Sequence, residues 1–349
     1  MRGPESADYY VNLAQEDYYL KGGEPPGVWH GKGAQALGLF GKVTETELKL
    51  LIVGRGPDKE ALVQNAGDET RQGGWDLTFS APKSVSVIWA QADPATRKAI
   101  QEAHRRAVDT ALNYLESEAG WTRRGRAGEE KERADLVFAK FEHGTSRAQD
   151  PNIHTHALLI NASIREDGTT GSIESKPIFK EKMTAGALYR AELSHSLRNI
   201  GFETEQKRSW FEVKGVSESL IAEQSKRRKA IEKELSAKGE RGAKAAKIAN
   251  LNTRKAKEHL PREQLFNLWS HDGERHNFGA KEVENLKKSQ TLSHDEREAY
   301  RERAVNKTIS KLTEHESHFT KRDFVRRLAE EAQGKGIFDA KEVLSLIHI

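Results

Sequence analysis

The sequence predicts an α+β protein in which helices flank a central antiparallel sheet, followed by a mostly helical C-terminal segment. Three observations carry this. Strand-like runs come in hairpin-like pairs set apart by long helical stretches, an order that suits an antiparallel sheet better than alternating βαβ units. The longest strand-like run, residues 153–164, alternates through His154 and His156 before the apolar stretch Ala157-Leu158-Leu159-Ile160. Beyond about residue 217 nearly everything reads helical.

Four of the seven tyrosines fall at the start of the chain, in Asp8-Tyr9-Tyr10 and Asp17-Tyr18-Tyr19. An amphipathic helix that covers a sheet with tyrosines is one reading of them; a pair of nucleophile sites is the other. At about 100° per residue, Tyr9 and Tyr18 project from opposite sides of one unbroken helix, so serving a common site requires a bend or a movement. Helical periodicity follows at residues 45–53, 94–119 and 182–199. Strand-like runs occupy residues 75–80, 85–89, 136–141, 153–164 and 210–214. Gly239, Gly242, Pro261 and Gly273 break the helical remainder. The predicted units are residues 1–216, 217–298 and 299–349.

The run Phe141-Glu142-His143, a polar connection from Gly144 to Pro151, and Asn152-Ile153-His154-Thr155-His156 bring three imidazoles within reach of one metal ion. Side chains alternate across a strand, so His154 and His156 share a face. A hairpin would set His143 beside them. Three neutral nitrogen ligands with coordination positions left open are what a catalytic metal site needs. A hydrogen-bonded edge-strand pair is the competing reading of His154 and His156. Tyrosine, with an ordinary pKa of about 10, is a weak nucleophile at neutral pH and needs an electrophile activated by such a metal.

Composition bounds the alternatives. The 349 residues carry a net charge of +4 and no cysteine, which excludes a disulfide framework and Cys-ligated zinc. No apolar run is long enough to span a bilayer and no charged-then-apolar leader opens the chain, so a soluble cytoplasmic protein is expected. The charge is uneven. Residues 205–258 hold fifteen lysines and arginines against eight glutamates, a local excess of +7 centred on Lys226-Arg227-Arg228-Lys229. That stretch is either a phosphate-binding face or a solvated helix, since Glu232 and Glu234 are interleaved with it.

Taken together, the tyrosine pairs, Trp29-His30-Gly31-Lys32-Gly33-Ala34-Gln35-Ala36-Leu37-Gly38-Leu39, Asp76-Leu77-Thr78-Phe79-Ser80-Ala81-Pro82-Lys83-Ser84-Val85-Ser86, His143-Gly144-Thr145-Ser146-Arg147 and Asp150-Pro151-Asn152-Ile153-His154-Thr155-His156 resemble the MobF conjugative relaxases. The likeness covers about residues 9–215. It implies a metal-dependent single-strand DNA nickase that becomes joined through tyrosine to the 5′ phosphate at a plasmid transfer origin. Tyr9 would be the first nucleophile and Tyr18 the candidate for a second, strand-closing cut, with Tyr10 and Tyr19 packing or stacking on a base. The resemblance places Asp76 behind the metal, bonded to a metal histidine or taking the tyrosine proton, and sets Lys83 and Arg147 to meet phosphates. Apart from that resemblance, Asp76 would read as a strand-start carboxylate. It further implies a divalent ion, Mg2+ or Mn2+ in function with Zn2+ or Ni2+ as alternatives. Partners would be transfer-origin single-stranded DNA together with relaxosome and secretion-coupling proteins, and the protein would be transferable to a recipient cell. The helices after residue 217 would clamp the DNA.

The resemblance has limits. Family members carry a short strand before the first tyrosine pair, for which residues 1–8 leave no room, so a truncated start is expected. No Gly-x-x-x-x-Gly-Lys-[Ser/Thr] motif occurs, so no ATPase activity is expected from this chain. The end resembles the entry to the motor region of such proteins, with Thr320 as an N-cap and residues from about 299 onward poorly anchored. A replication initiator of the same nuclease group, a small-substrate metallohydrolase and a non-catalytic single-strand DNA-binding module are the alternatives.

Overall fold

A computed structural model describes residues 25–239, 260–314 and 318–346, with isolated positions between 242 and 253. All four tyrosines of the N-terminal pairs lie outside the described residues. In chain order the elements are β1 (Val28–His30), α1 (Lys32–Ala36), α2 (Glu45–Ile52), β2 (Gly74–Ser80), α3 (Lys83–Gln91), α4 (Pro94–Ala119), β3 (Trp121–Arg124), β4 (Glu130–Arg133), β5 (Asp135–Thr145), β6 (Pro151–Ile164), β7 (Thr170–Gly171), α5 (Ser175–Ile200), β8 (Thr204–Gln206) and β9 (Phe211–Val213). Seven helices follow among the described residues: α6 (Glu218–Glu223), α7 (Lys226–Lys238), α8 (Arg262–Arg275), α9 (Ala280–Asn285), α10 (His294–Thr313), α11 (Lys321–Ala332) and α12 (Ala340–Ser345).

The main sheet has the order β1-β5-β6-β2, every neighbour antiparallel, with β7 paired to the far end of β6. Its two faces are sorted by alternation. Phe138, Ile153, Ala157 and Leu159 join the core beneath the long helices α4 and α5. Phe141, Leu158, Ile160 and Ala162 pack on the other face with Trp29, Leu48, Leu51 and Ile52. Both faces are therefore covered, which accounts for the unbroken apolar run of residues 157–160 in β6. His154 and His156 continue the row of Leu158 and Ile160 on the second face.

The predicted α4 matches the structure at both ends. Pro94 sits in its first turn, where a missing N–H costs nothing, and the Asp93 carboxylate accepts from the Ala95 and Thr96 amides. One prediction is overturned: residues 85–89 are the middle of α3, not a strand. Every residue from Ser84 to Gln91 is buried, so no polar face marks the helical period. Val85, Val87 and Ile88 disfavour helix by at most about 0.7 kcal/mol each, against roughly 1.5–3 kcal/mol for burying each one. Burial decides. The Glu212 carboxylate of β9 accepts from the Ser84 amide at 3.1 Å and caps the helix from a distant strand.

Two expectations about the C-terminal half are corrected. Gly273 lies inside α8, where an added Cβ would meet the Phe278 carbonyl and the Gln91 side chain; it allows close packing and breaks nothing. Residues beyond 299 are not poorly anchored. Position 299 falls within α10, and Val325, Leu328, Ala329, Phe338 and Val343 are buried in the same core as α5. Thr320 does cap α11, in a reciprocal capping box with Asp323. No described helix is long and apolar enough to cross a membrane.

Candidate metal centre

The β5–β6 hairpin sets His143 directly opposite His154, with Phe141 opposite His156 and Thr78 of β2 on its other side. The three imidazole centroids form a nearly equilateral triangle, 5.1 Å from His143 to His154, 5.3 Å from His143 to His156 and 5.1 Å from His154 to His156. One ring nitrogen from each lies within 4.8 Å of the others. Ligand nitrogens at about 2.0–2.1 Å from zinc stand about 3.3 Å apart in a tetrahedron, so a small inward rotation of the rings completes a trihistidine site.

Hydrogen bonds orient these rings. His156 Nδ1–H donates to the Asp76 carboxylate at 2.8 Å, and His154 Nδ1–H donates to the Asn152 carbonyl at 2.9 Å. In both residues the partner occupies Nδ1 and leaves Nε2 for the ion. Burial, reinforced by the neighbouring imidazoles, holds His143 well below the ordinary histidine range. Burial likewise pushes His154 down to about 4. At neutral pH these two rings carry a free lone pair, the form a metal binds.

The structure brings the Asp76 carboxylate against His156. The Asp76→Asn variant keeps an acceptor for His156 but removes the carboxylate charge behind the ring. Its affinity for Mn2+, measured by calorimetric titration, is expected to fall about 10- to 100-fold; unchanged affinity would dismiss the carboxylate's part in the site.

Lys83, half-buried, opens α3 beside the start of β6. Its ammonium donates to the Pro151 carbonyl at 2.7 Å, and burial lowers it to about 8 against the opposing pull of Asp150. Arg147 lies on the turn between β5 and β6. Lys226, Arg227, Arg228 and Lys229 open α7, a helix with no buried residue. Within that group, Arg227 donates to the Thr253 carbonyl at 2.6 Å, and Arg228 pairs with Glu232 at 2.6 Å.

Several supporting residues were not legible in the sequence. Gly144 follows His143 at a register shift in β5, and a Cβ there would come within 2.6 Å of the Trp89 ring. On the opposite face of the sheet, Thr155 meets His104 Nε2 at 2.8 Å, and His104 Nδ1 meets the Tyr189 hydroxyl at 2.9 Å. That buried chain fixes the strand between the two metal-facing histidines. Beside His143, Glu142 points toward α4 and pairs with Arg105 at 2.6 Å. Only the alternation of β6 hinted at Thr155; its partner His104 lies 51 residues away.

An antiparallel sheet with this trihistidine pocket on one face and long helices on the other is the arrangement expected of a MobF-type conjugative relaxase domain. The chain belongs to the TrwC relaxase family, whose model matches residues 4–276. It is 34% identical over 282 residues to the multifunctional conjugation protein TraI of Escherichia coli strain K12, and 33% identical to a second Escherichia coli TraI. Each alignment covers 76% of this chain and 15% of the relative, so the chain spans about one seventh of the curated relatives' length. Among solved structures, the copper-bound complex of the conjugative relaxase TrwC with OriT DNA is similar at a TM-score of 0.71 and 30% identity, over 80% of this chain and 98% of that one. A metal-bound TrwC–OriT complex gives a TM-score of 0.70 at 29% identity over the same shares.

Proposed function

We propose that this chain is a site- and strand-specific single-stranded DNA endonuclease and transesterase that nicks a plasmid transfer origin during conjugation. The observation that carries the reading is the convergence of His143, His154 and His156, with Asp76 behind His156. The TrwC relatives with bound OriT DNA and metal support it. A divalent ion on the three imidazoles, Mg2+ or Mn2+, supplies Lewis-acid polarisation of the scissile phosphate. The chain's own part is to hold the rings oriented and to deliver a tyrosine oxygen in line. Attack by that oxygen forms a phosphotyrosyl ester and breaks the bond to the 3′ oxygen, which leaves as a hydroxyl; the phenol gives up its proton. Because the ester retains the bond energy, rejoining needs no nucleotide cofactor.

Residues 1–216 act in this reading as the catalytic core and residues 217–298 as a helical clamp on the strand. Incubating the protein with transfer-origin single-stranded DNA and Mn2+ tests the function directly. A covalent protein–DNA adduct is expected, and its absence under conditions where the DNA binds would overturn the reading.

The clamp has its own test. Lys226, Arg228 and Lys229 are exposed on α7, whereas Arg227 is tied to Thr253. Changing the three exposed residues to Gln is expected to weaken single-strand binding across sequences. The slope of log affinity against log salt should become shallower by roughly 0.7 per lost phosphate contact, about 2 in all. An unchanged slope would place the DNA elsewhere.

A further inference from the structure

The turn joining the two histidine strands is gripped from outside the sheet. The indole Nε1–H of Trp269, on α8, donates to the Gln149 carbonyl at 2.8 Å. The amide of Arg227, in the first turn of α7, donates to the Asp150 carboxylate at 3.1 Å, and Lys83 holds the Pro151 carbonyl. Gln149 has φ of 60°, a left-handed conformation that costs a non-glycine residue on the order of 1 kcal/mol and persists only where its surroundings impose it. Trp269 is 2% exposed and packs on Trp89, ring centroids 5.7 Å apart; Gln91 Nε2–H donates to its carbonyl at 2.5 Å. Trp89 in turn lies against Gly144, the residue after His143. One indole therefore touches the far side of the turn directly and the near side through a second indole.

We propose that Trp269 is a positioning residue for the metal histidines: by fixing the turn between β5 and β6, the helical segment after residue 217 sets the spacing of His143 and His154. Pro151 is three residues from His154, about 10 Å along the strand, so a displaced turn is felt at the imidazoles. The inference rests on these histidines being the metal ligands.

The Trp269→Phe variant keeps an aromatic ring beside Trp89 but removes the indole N–H together with the pyrrole part of the ring. Titrated calorimetrically with Mn2+ in the absence of DNA, the full chain carrying it is expected to show a Kd raised about three- to tenfold. That is less than the roughly 10- to 100-fold for a partner bonded to the ligand itself. Cleavage lost at limiting Mn2+ should return when Mn2+ is raised. Leu268→Ala, at an exposed position on the same helix, should leave the Kd alone. Gln149→Gly relieves the left-handed strain, so adding it to Trp269→Phe should recover much of the lost affinity; this second comparison is internal to the variants and survives a general loss of stability. An unchanged Kd in Trp269→Phe, a cleavage defect that Mn2+ does not restore, or no recovery in the double variant would overturn the proposal. A wild type that takes up no Mn2+ would overturn the trihistidine reading and this inference with it, whereas wild-type uptake with unaltered variants defeats the inference alone.

Discussion

His154→Ala and His156→Ala are each expected to abolish DNA cleavage while leaving single-strand binding largely intact. Each removes one of the three convergent imidazoles, and two remaining ligands hold a divalent ion poorly. The metal's stabilisation of the transition state is several kcal/mol, and each 1.4 kcal/mol is about tenfold in rate, so a loss of about a thousandfold or more follows. Binding draws instead on phosphates and stacked bases over a much larger surface. Chelation of the wild type should reproduce the defect and added Mn2+ should reverse it. Full cleavage by either variant in the presence of chelator would remove the metal from the mechanism.

The metal face could be read from the sequence because strand alternation is a local rule: His154 and His156 two apart need no tertiary knowledge to share a side. His143 followed once the polar segment 144–151 was taken as a hairpin connection, and the structure pairs it with His154. Asp76 was found only through the resemblance, since its bond to His156 spans 80 residues. The failures have the same origin. Residues 85–89 look like a strand because a helix buried on all sides shows no period, and its cap comes from Glu212, 128 residues away. Nor does anything local show the Lys83 ammonium bonding to the Pro151 carbonyl, 68 residues away. The grip of Trp269 on Gln149 spans 120 residues and left no local pattern. What the sequence conveyed was which residues carry the chemistry; what it withheld was which long-range contacts hold them still.

The tyrosine expectation is the sharper one, because it turns on a single oxygen. Tyr9→Phe is expected to remove the covalent adduct while preserving the fold, since one hydroxyl is lost and the ring remains. Tyr18→Phe should spare the first cut and impair a second, strand-closing one. Pro25 and Pro26 line a cavity of about 310 Å3 together with Glu142 and Thr155, on the face of the sheet opposite the three imidazoles, so a tyrosine that serves the metal must be delivered across the edge of the sheet. Seven residues separate Tyr18 from Pro25 and can span at most about 25 Å, while the sixteen from Tyr9 can span about twice that. A phenol near its ordinary pKa of about 10 is mostly protonated at neutral pH, so attack relies on the trihistidine site to activate the phosphate. The two arguments are therefore linked: a chain that keeps all its tyrosines but loses His154 should form no adduct, and one that keeps its histidines but loses Tyr9 should bind metal normally and form none either. Mass-spectrometric mapping of the DNA-linked peptide decides the assignment, and an adduct outside residues 9–19 would refute it.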